Sequence, residues 1–211
     1  IAGATGLTLD SLVILRCRIE YNLRHGVYIG QNLDGIEIIA SHLNDNGTTG
    51  QLYANIYAEL GGGLHILGTF VVQSKGANIH FHAFQQATVT GCYILSATTQ
   101  NILFTGTAAR ESGVISVVGN QIHAPSVGTS SASIQLGKGA NNAASNVVIV
   151  GNTFSVGGGT PSAVVDENSN SHDNTVALND QLQSTNWFPP PVTMQGLTVM
   201  QNGMIAGFTN N

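Results

Sequence analysis

Acidic residues are sparse in this chain, and a small group of them falls between residues 34 and 59. The 211 residues include 11 Asp and Glu, and Asp34, Glu37, Asp45 and Glu59 form this group. Two facing carboxyl groups about 5–9.5 Å apart can cleave a glycosidic bond. We therefore take Glu37, Asp34 and Glu59 as candidate catalytic residues. The alternative is a network of surface ion pairs, which contributes little energy and is the commoner role of such clusters.

A second set of residues combines flat rings with uncharged hydrogen-bonding groups. Its members are Tyr28, Tyr53, His80, His82 and Gln135. Aromatic faces pack on the apolar C–H faces of sugars, and imidazole and amide groups can bond their hydroxyls. We expect these residues to bind a glycan polymer. Stacked Tyr and His side chains also stabilise sheets as cross-strand pairs, so a purely structural role is the alternative.

The histidines and glycines give no pattern for a metal or a cofactor. His80 and His82 share one face of a predicted strand, but His65 belongs to another strand and no Cys completes the set. A zinc site needs three or four ligands that converge. The glycine-rich segments 61–63 and 157–159 lack the lysine and the helix of a phosphate-binding loop. We expect neither a metal nor another cofactor.

A sequence motif that recurs along the chain defines the strands that must position these residues. This motif is called the first phrase below. Its clearest copy is SNVVIVGNTF, residues 145–154. Read with a period of two, Val147, Ile149 and Phe154 face one side, as in a half-buried strand followed by a corner. A degenerate seventh copy places Leu178 at the corner. The six earlier copies align on a small residue at the corner, namely Cys17, Ala40, Gly68, Gly91, Gly119 and Gly151.

A second alternating phrase lies between these copies. It covers residues 26–32, 51–57, 78–84, 101–107, 133–139 and 162–168. In this alignment Tyr28, Tyr53 and His80 occupy one outward column. One repeat is then a strand, a corner, a second strand and a loop in about 27 residues, a period typical of solenoids. Repeats that stack at the strand spacing of about 4.8 Å form the rungs of a parallel β-helix.

These two phrases resemble the right-handed parallel β-helix superfamily of pectate-lyase-like proteins, and they are most similar to bacteriophage tailspikes. The resemblance covers about residues 7–182 and is specific for the fold rather than for the chemistry. It implies an all-β, right-handed parallel β-helix of about seven rungs over residues 1–182. A non-repetitive segment follows over residues 183–211. The sequence departs from the lyase pattern, because no rung carries three stacked acids that could bind calcium.

Charge and cysteine content narrow the class of protein further. Only 8% of the residues are charged and the net charge is −5, which argues against a nucleic-acid partner. No run of about 18 apolar residues occurs, so we expect no membrane span. Cys17 and Cys92 fall three rungs apart, roughly 14 Å. A disulfide bridges Cα atoms no more than about 7 Å apart, so we expect two free thiols.

The first strand of the repeat has an outward column that is mostly apolar. Exposed apolar surfaces of this length mark contact sites, so we expect this face to pack on other copies in a homotrimer. The alternative is a loop or an N-terminal segment that covers it. The column comprises Arg16, Ile39, Leu67, Thr90, Val118 and Val150, beside a more polar column of Ile14, Glu37, His65, Thr88, Ser116 and Val148.

The two ends of the sequence predict what lies before and after the solenoid. The first residues already have the pattern of a solenoid rung. We therefore expect a longer protein that continues N-terminally, or a missing N-terminal cap. Residues 183–211 hold Trp187 and three consecutive prolines, and proline stops a strand ladder. We expect this segment to be a cap over the last rung or a trimer contact.

These features support three hypotheses about function. The first is a tailspike-like receptor-binding protein of the virion tail that binds, and in its enzymatic form depolymerises, bacterial surface polysaccharide. The second is a secreted monomeric lyase, hydrolase or epimerase that acts on polysaccharide. The third is a structural β-helix adhesin without catalysis. If the protein is an enzyme, we expect a glycosidase or a lyase.

Overall fold

The computed structural model describes residues 9–31, 33–49, 53–123, 132–137, 143–155, 164–166, 171–177, 179–181, 197–201 and 204–206. The first strands in chain order are β1 (Leu9–Leu15), β2 (Arg18–Glu20), β3 (Val27–Ile29), β4 (Leu33–Ile39), β5 (His42–Asn44), β6 (Ile56–Glu59), β7 (Leu64–Leu67), β8 (Phe70–Val72), β9 (Ile79–His82), β10 (Gln85–Thr90), β11 (Tyr93–Leu95) and β12 (Ile102–Thr105). The later strands are β13 (Ser112–Val118), β14 (Gln121–His123), β15 (Ile134–Leu136), β16 (Ala144–Val150), β17 (Thr153–Ser155), β18 (Val164–Asp166), β19 (Asn174–Ala177), β20 (Asp180–Gln181), β21 (Leu197–Gln201) and β22 (Met204–Ala206).

From β1 to β18 the chain visits three sheets in the same order in each turn. The first sheet contains β1, β4, β7, β10, β13, β16 and β19 and continues into β21 and β22. The second contains β2, β5, β8, β11, β14, β17 and β20, and the third contains β3, β6, β9, β12, β15 and β18. Neighbouring strands pair in parallel, apart from the antiparallel pair β21–β22. Across the described ranges, no helix is long and apolar enough to cross a membrane.

This architecture confirms the predicted β-solenoid and corrects two of its details. Each turn has three strands instead of two, because a three-residue strand of the second sheet follows the corner. Three residues are too few to show an alternating pattern in the sequence. Among the described residues, the number of complete turns is also smaller than the seven expected. Leu178, Trp187 and the proline run lie outside the described residues, and the cap or trimer contact predicted for residues 183–211 stays a prediction.

Inward side chains from all three sheets fill one continuous core. Val147, Ile149 and Phe154 are fully buried, as their period of two predicts. In the third sheet, Phe81 and Phe104 are also fully buried and stack with ring centroids 5.3 Å apart. Because each inward residue contacts its equivalents one turn before and after, the core is a stack of similar layers.

A two-residue corner joins each strand of the first sheet to the next strand of the second sheet. Its first residue has positive φ, as in Arg16 (51°), Ala40 (46°) and Gly91 (63°). Arg16, and not Cys17, therefore holds the first corner position. A Cβ atom built on Gly68, Gly91, Gly119 or Gly151 meets nothing within 4 Å, so the positive φ, and not a lack of space, favours glycine at this position.

This one-residue shift also corrects the outward columns of the first turn. Val13, rather than Ile14, pairs in register with Glu37, and Leu15, rather than Arg16, pairs with Ile39. The apolar column is thus more apolar than predicted, and Leu15 is 52% exposed. Cys17 and Cys92 hold the second corner position in turns one and four, and both are free thiols, as expected.

Files of buried amide side chains connect the turns at two corners. Between the second and third sheets, Asn55 Nδ2 donates to Asn78 Oδ1, and Asn78 Nδ2 donates to Asn101 Oδ1, each at 2.9 Å. At the corner between the first and second sheets, Asn120 Nδ2 donates to Asn152 Oδ1 at 2.9 Å. All five side chains are buried. Because buried amides need partners one turn away, these files fix which turn stacks on which.

Candidate functional site

The outward face of the third sheet carries most of the aromatic and imidazole side chains that were predicted to bind a glycan. One column of this face contains Tyr28, Tyr57, His80, Leu103 and Gln135 in register. The next column contains Glu59, His82 and Thr105. Residues in one column come from successive turns, so the parallel stacking of β3, β6, β9 and β12 is what brings them together.

Tyr57 is the centre of a continuous ring cluster on this face. Its ring lies parallel to that of Tyr28, with an interplanar angle of 9° and centroids 5.8 Å apart. His25 lies 4.5 Å from Tyr57, and His80 meets it edge-on at 4.8 Å. His82 is 6.3 Å away and nearly parallel. The cluster therefore presents several ring faces over three turns, and Tyr28 is 38% exposed.

Glu59 places one carboxylate at the edge of the ring cluster. Tyr28 Oη donates to Glu59 Oε2 at 2.6 Å, and this hydrogen bond, together with burial, raises the pKa of Tyr28. Burial, followed by the charges of Glu59 and Tyr28, raises the pKa of Tyr57 to about 12. Both phenols therefore keep their protons at neutral pH and can donate hydrogen bonds.

Thr105 links the two imidazoles of the face. Its Oγ1 lies 2.8 Å from His80 Nε2 and 2.8 Å from His82 Nδ1. A hydroxyl has one proton to donate, so at least one of the two ring nitrogens must donate to Oγ1. The three side chains thus form a chain of two hydrogen bonds.

His25 has a defined protonation state at the other side of the cluster. The backbone amide of Ala54 donates to His25 Nδ1 at 3.0 Å, so this nitrogen has no proton. Burial lowers the pKa of His25. The ring is therefore neutral at pH 7 and its proton is on Nε2, which makes it a hydrogen-bond donor at that atom.

Of the predicted glycan-binding residues, Tyr53 lies outside the predicted column and Gln135 lies in it but is buried. Tyr53 is not in the outward column, which Tyr57 occupies; it contacts the cluster edge-on through His25, at 5.1 Å. The alignment failed there because it matched residue 51 to residue 26, whereas the structure pairs Val27 with Ile56. Gln135 is in the column but only 3% exposed, and its Oε1 accepts from Gln100 Nε2. The exposed part of the column therefore does not extend to Gln135.

The three candidate catalytic acids do not share one face. Glu59 lies on the third sheet, whereas Glu37 projects from the first sheet in register with His65. Asp34 is exposed at the start of β4, where its Oδ1 accepts from the amide of Gly35 at 2.8 Å. A Cβ atom on Gly63 would collide with Asp34 Oδ1, so Asp34 lies beside the turn that follows Glu59. Of the three acids, Glu59 alone adjoins the ring cluster.

Sequence reasoning did not select four contributors to this region as site residues, namely Tyr57, His25, Thr105 and Arg110, although it placed Thr105 in the column of His82. The guanidinium of Arg110 donates to the carbonyl oxygens of Leu60 and Gly61, at 3.2 and 3.3 Å. A cation therefore lies at the turn after Glu59. A signal for Tyr57 was present, because an Asn-Ile pair precedes it at residues 55–56 and recurs at 78–79 and 101–102. The position of Arg110 depends on a loop and has no repeat signal.

Comparisons with known proteins identify the fold. Neither a scan of family models nor a search of curated proteins found a match. The A-module of mannuronan C-5 epimerase AlgE4 of Azotobacter vinelandii superposes with a TM-score of 0.72 at 15% identity, over 86% of this chain and 50% of the module. The AlgE6 A-module of the same organism gives 0.62 at 14% identity, over 96% of this chain and 56% of the module.

A bacteriophage protein also aligns, at a lower score. The enzymatically active domain of tailspike protein 2 of bacteriophage CBA120 gives a TM-score of 0.48 at 13% identity, over 90% of this chain and 24% of that domain. Because that score is below 0.5, nothing about this chain follows from it. The chain spans about half the length of the two epimerase modules, and at these identities the likeness shows the parallel β-helix fold alone.

Proposed function

Because the chain folds as a parallel β-helix of the pectate-lyase-like kind, we propose that the third sheet's outward face binds a bacterial surface polysaccharide. The observation that carries the proposal is the ring cluster of Tyr28, Tyr57, His25, His80 and His82 beside Glu59. Ring faces match the C–H faces of sugars, and the phenols, imidazoles and carboxylate match their hydroxyls. The columns run from turn to turn, as a polymer chain would.

Removing rings from this face is expected to weaken glycan binding. Tyr28→Ala should reduce the affinity for a bound O-antigen or capsular polysaccharide by about three- to tenfold, since one stacked ring contributes on the order of 1 kcal/mol. Tyr57→Ala should weaken it further, because it also releases its neighbours. Affinity electrophoresis against a panel of purified polysaccharides measures both effects.

The control for this experiment carries its ring on a different face. His65 is exposed on the first sheet, so His65→Ala should bind like the unchanged protein. If Tyr28→Ala and Tyr57→Ala, both shown to be folded by circular dichroism, bind as tightly as His65→Ala, the third sheet is not the binding face.

We further propose a tailspike-like role on a virion tail, with three copies that pack through the first sheet. The outward column supports the contact, because apolar side chains left open to water mark interaction surfaces. Leu15 and Thr90 in this column are exposed, and Ile39, Leu67, Val118 and Val150 are half-buried. Residues 183–211 would then add a cap or a second contact. A secreted location is the alternative to the virion.

The trimer predicts a particular mass in solution. Analytical ultracentrifugation should give three times the 21.9 kDa of the chain at micromolar concentration. Leu67→Asp, which puts a charge in the middle of the apolar column, should shift the distribution towards single chains. Single chains of the unchanged protein at that concentration would contradict the trimer without bearing on glycan binding.

The second candidate function is a secreted enzyme, a lyase, hydrolase or epimerase that modifies the bound polysaccharide. The hydrogen-bonded chain His80–Thr105–His82 favours it, because paired imidazoles can take up and deliver a proton. Incubation with the bound polysaccharide should then shorten its chains, create double bonds or invert a sugar carbon. Glu59→Gln and His80→Gln should reduce that activity at least a hundredfold, whereas Glu37→Gln should not change it. If the polysaccharide is unaltered after prolonged incubation, the protein binds it without modifying it and the enzymatic function is contradicted.

A further inference from the structure

The outward face of the second sheet carries its own file of aromatic rings, away from the ring cluster of the third sheet. His42, Phe70 and Tyr93 come from three successive turns and stand in one column of the strand register. Ring centroids are 5.9 Å apart for His42 and Phe70, and 5.5 Å apart for Phe70 and Tyr93. His123 continues the file from the next turn, with its ring 4.9 Å from Tyr93.

Phe70 is exposed to solvent in the middle of this face. Its side chain is 51% exposed, whereas Phe81, Phe84, Phe104 and Phe154 in the core are fully buried. Leaving half of a phenyl ring in water forgoes part of the free energy that burial would release. The flanking rings are tilted against Phe70 by 38° and 55°, so they support it from both turns without covering it.

The outward positions around the file are mostly polar, with Val72 and Leu95 as apolar neighbours in the adjacent column. Gln121, Thr153 and Asp180 continue the column of Phe70 and Tyr93 in the following turns, so an acidic residue lies at its far end and not beside the rings. At the first turn of the same face, Arg18 Nε pairs with Glu20 Oε1 at 2.7 Å, so its one described cation is matched by one anion. A ligand of this face therefore needs ring-stacking surface and hydroxyls rather than charge.

This combination fits a sugar chain better than a protein. The exposed large apolar residues among the described ones are Val13, Leu15, Tyr21, Leu23, Tyr28, Phe70 and Val114, and Phe70 alone among them lies on a second-sheet strand. A stable protein interface buries about 800 Å² on each partner around an apolar centre. One exposed ring flanked by His42 and Tyr93 does not supply such a centre. A single sugar ring can cover Phe70, and its hydroxyls can reach the polar neighbours.

We propose that the second sheet's outward face is a second carbohydrate-binding surface, separate from the third sheet, that takes an uncharged polysaccharide. Phe70 and Tyr93 stack against its sugar rings, and His42, His123 and Gln121 bond its hydroxyls. The file follows the stacking direction of the turns, so successive sugars of one chain can contact successive rings. This surface does not depend on the function proposed for the third sheet.

Aromatic NMR signals and matched variants test the proposal with defined probes. Fragments of dextran, mannan, galactan and neutral O-antigen are titrated into protein carrying ¹³C-labelled Phe and Tyr. At least one probe should shift the signals of Phe70 and Tyr93. Phe70→Ala should weaken its binding by about three- to tenfold, and Phe70→Tyr, which retains the ring, should keep it.

Tyr28→Ala separates this surface from the third sheet. Wild-type binding of the same probe by Tyr28→Ala supports an independent second surface. If Phe70 and Tyr93 do not shift with any probe, or if Phe70→Ala binds like the unchanged protein, the second surface is refuted. The third-sheet proposal then stands or falls on the Tyr28 and Tyr57 variants alone.

Discussion

Phe81→Ala is expected to lower the free energy of unfolding by about 3–5 kcal/mol, the usual cost of truncating a fully buried Phe. Phe81 is completely enclosed, and its ring stacks on Phe104 and contacts Phe84, at centroid distances of 5.3 and 6.0 Å. Its removal opens a cavity that spans two adjoining turns, because rings from the same and the following turn lose their packing partner. Urea unfolding followed by circular dichroism measures the change.

Phe70→Ala is the matched control for this substitution. It removes the same side chain from the outside of the solenoid, where half of the ring already contacts water, so we expect a loss of less than about 1 kcal/mol. Equal losses for the two variants would contradict a core centred on the stacked rings. The comparison also establishes that Phe70→Ala is folded.

Asn78→Ala is expected to cost about 2–4 kcal/mol, since it leaves several buried polar groups without partners. Asn78 Oδ1 accepts from Asn55 Nδ2 at 2.9 Å and from the Ser74 amide at 3.1 Å. Asn78 Nδ2 donates to Asn101 Oδ1 at 2.9 Å and to the Leu95 carbonyl at 2.8 Å. The side chain thus joins three turns, and thermal unfolding should begin at a lower temperature in the variant.

Two further variants identify the cause of that loss. Asn78→Leu fills the space but makes no hydrogen bonds, so it should be as unstable as Asn78→Ala if hydrogen bonding is what matters. Asn22→Ala removes an exposed amide whose Nδ2 donates to Asn46 Oδ1 at 2.7 Å, and its cost should stay below about 1 kcal/mol. Recovery of stability in Asn78→Leu would show that packing, and not the amide file, holds these turns together.

The β-solenoid was predictable because its signal repeats. Val147, Ile149 and Phe154 show the alternation of a strand, and the corner glycines at 91, 119 and 151 recur at similar spacing. Each turn repeats the same requirement for inward apolar residues, so chance matches become improbable over several copies. The free state of Cys17 and Cys92 followed from the same stacking argument.

The exact register was not predictable from small residues alone. Cys17 was placed at the corner because it is small, yet Arg16 holds that position, since its side chain projects into open space. Tyr53 was placed in the column of Tyr28 because alternation alone allows several alignments of a short strand. The repeated Asn-Ile pairs, whose amides are buried and bonded to the next turn, would have given Tyr57 instead.

The candidate site was only partly accessible to sequence reasoning. Tyr28, His80 and His82 could be assigned to one face, since they lie on strands with clear alternation. Glu59 could not be separated from Glu37 and Asp34 before the sheets were known, because nearness along the chain says little about which side of a solenoid a residue faces. The second-sheet rings escaped notice because their strands have only three residues.

The constant two-residue corner has a consequence for how such a chain can diversify. From Leu15 to Arg18 and from Val150 to Thr153, the connection between the first and second sheets never changes in length. The connection from the second to the third sheet varies, from Leu95 to Ile102 in one turn and from Asn44 to Ile56 in another. Insertions and deletions are therefore accommodated between the second and third sheets, while the connection between the first and second sheets keeps a constant length. New loops can thus be added beside the ring cluster without disturbing the turns that carry it.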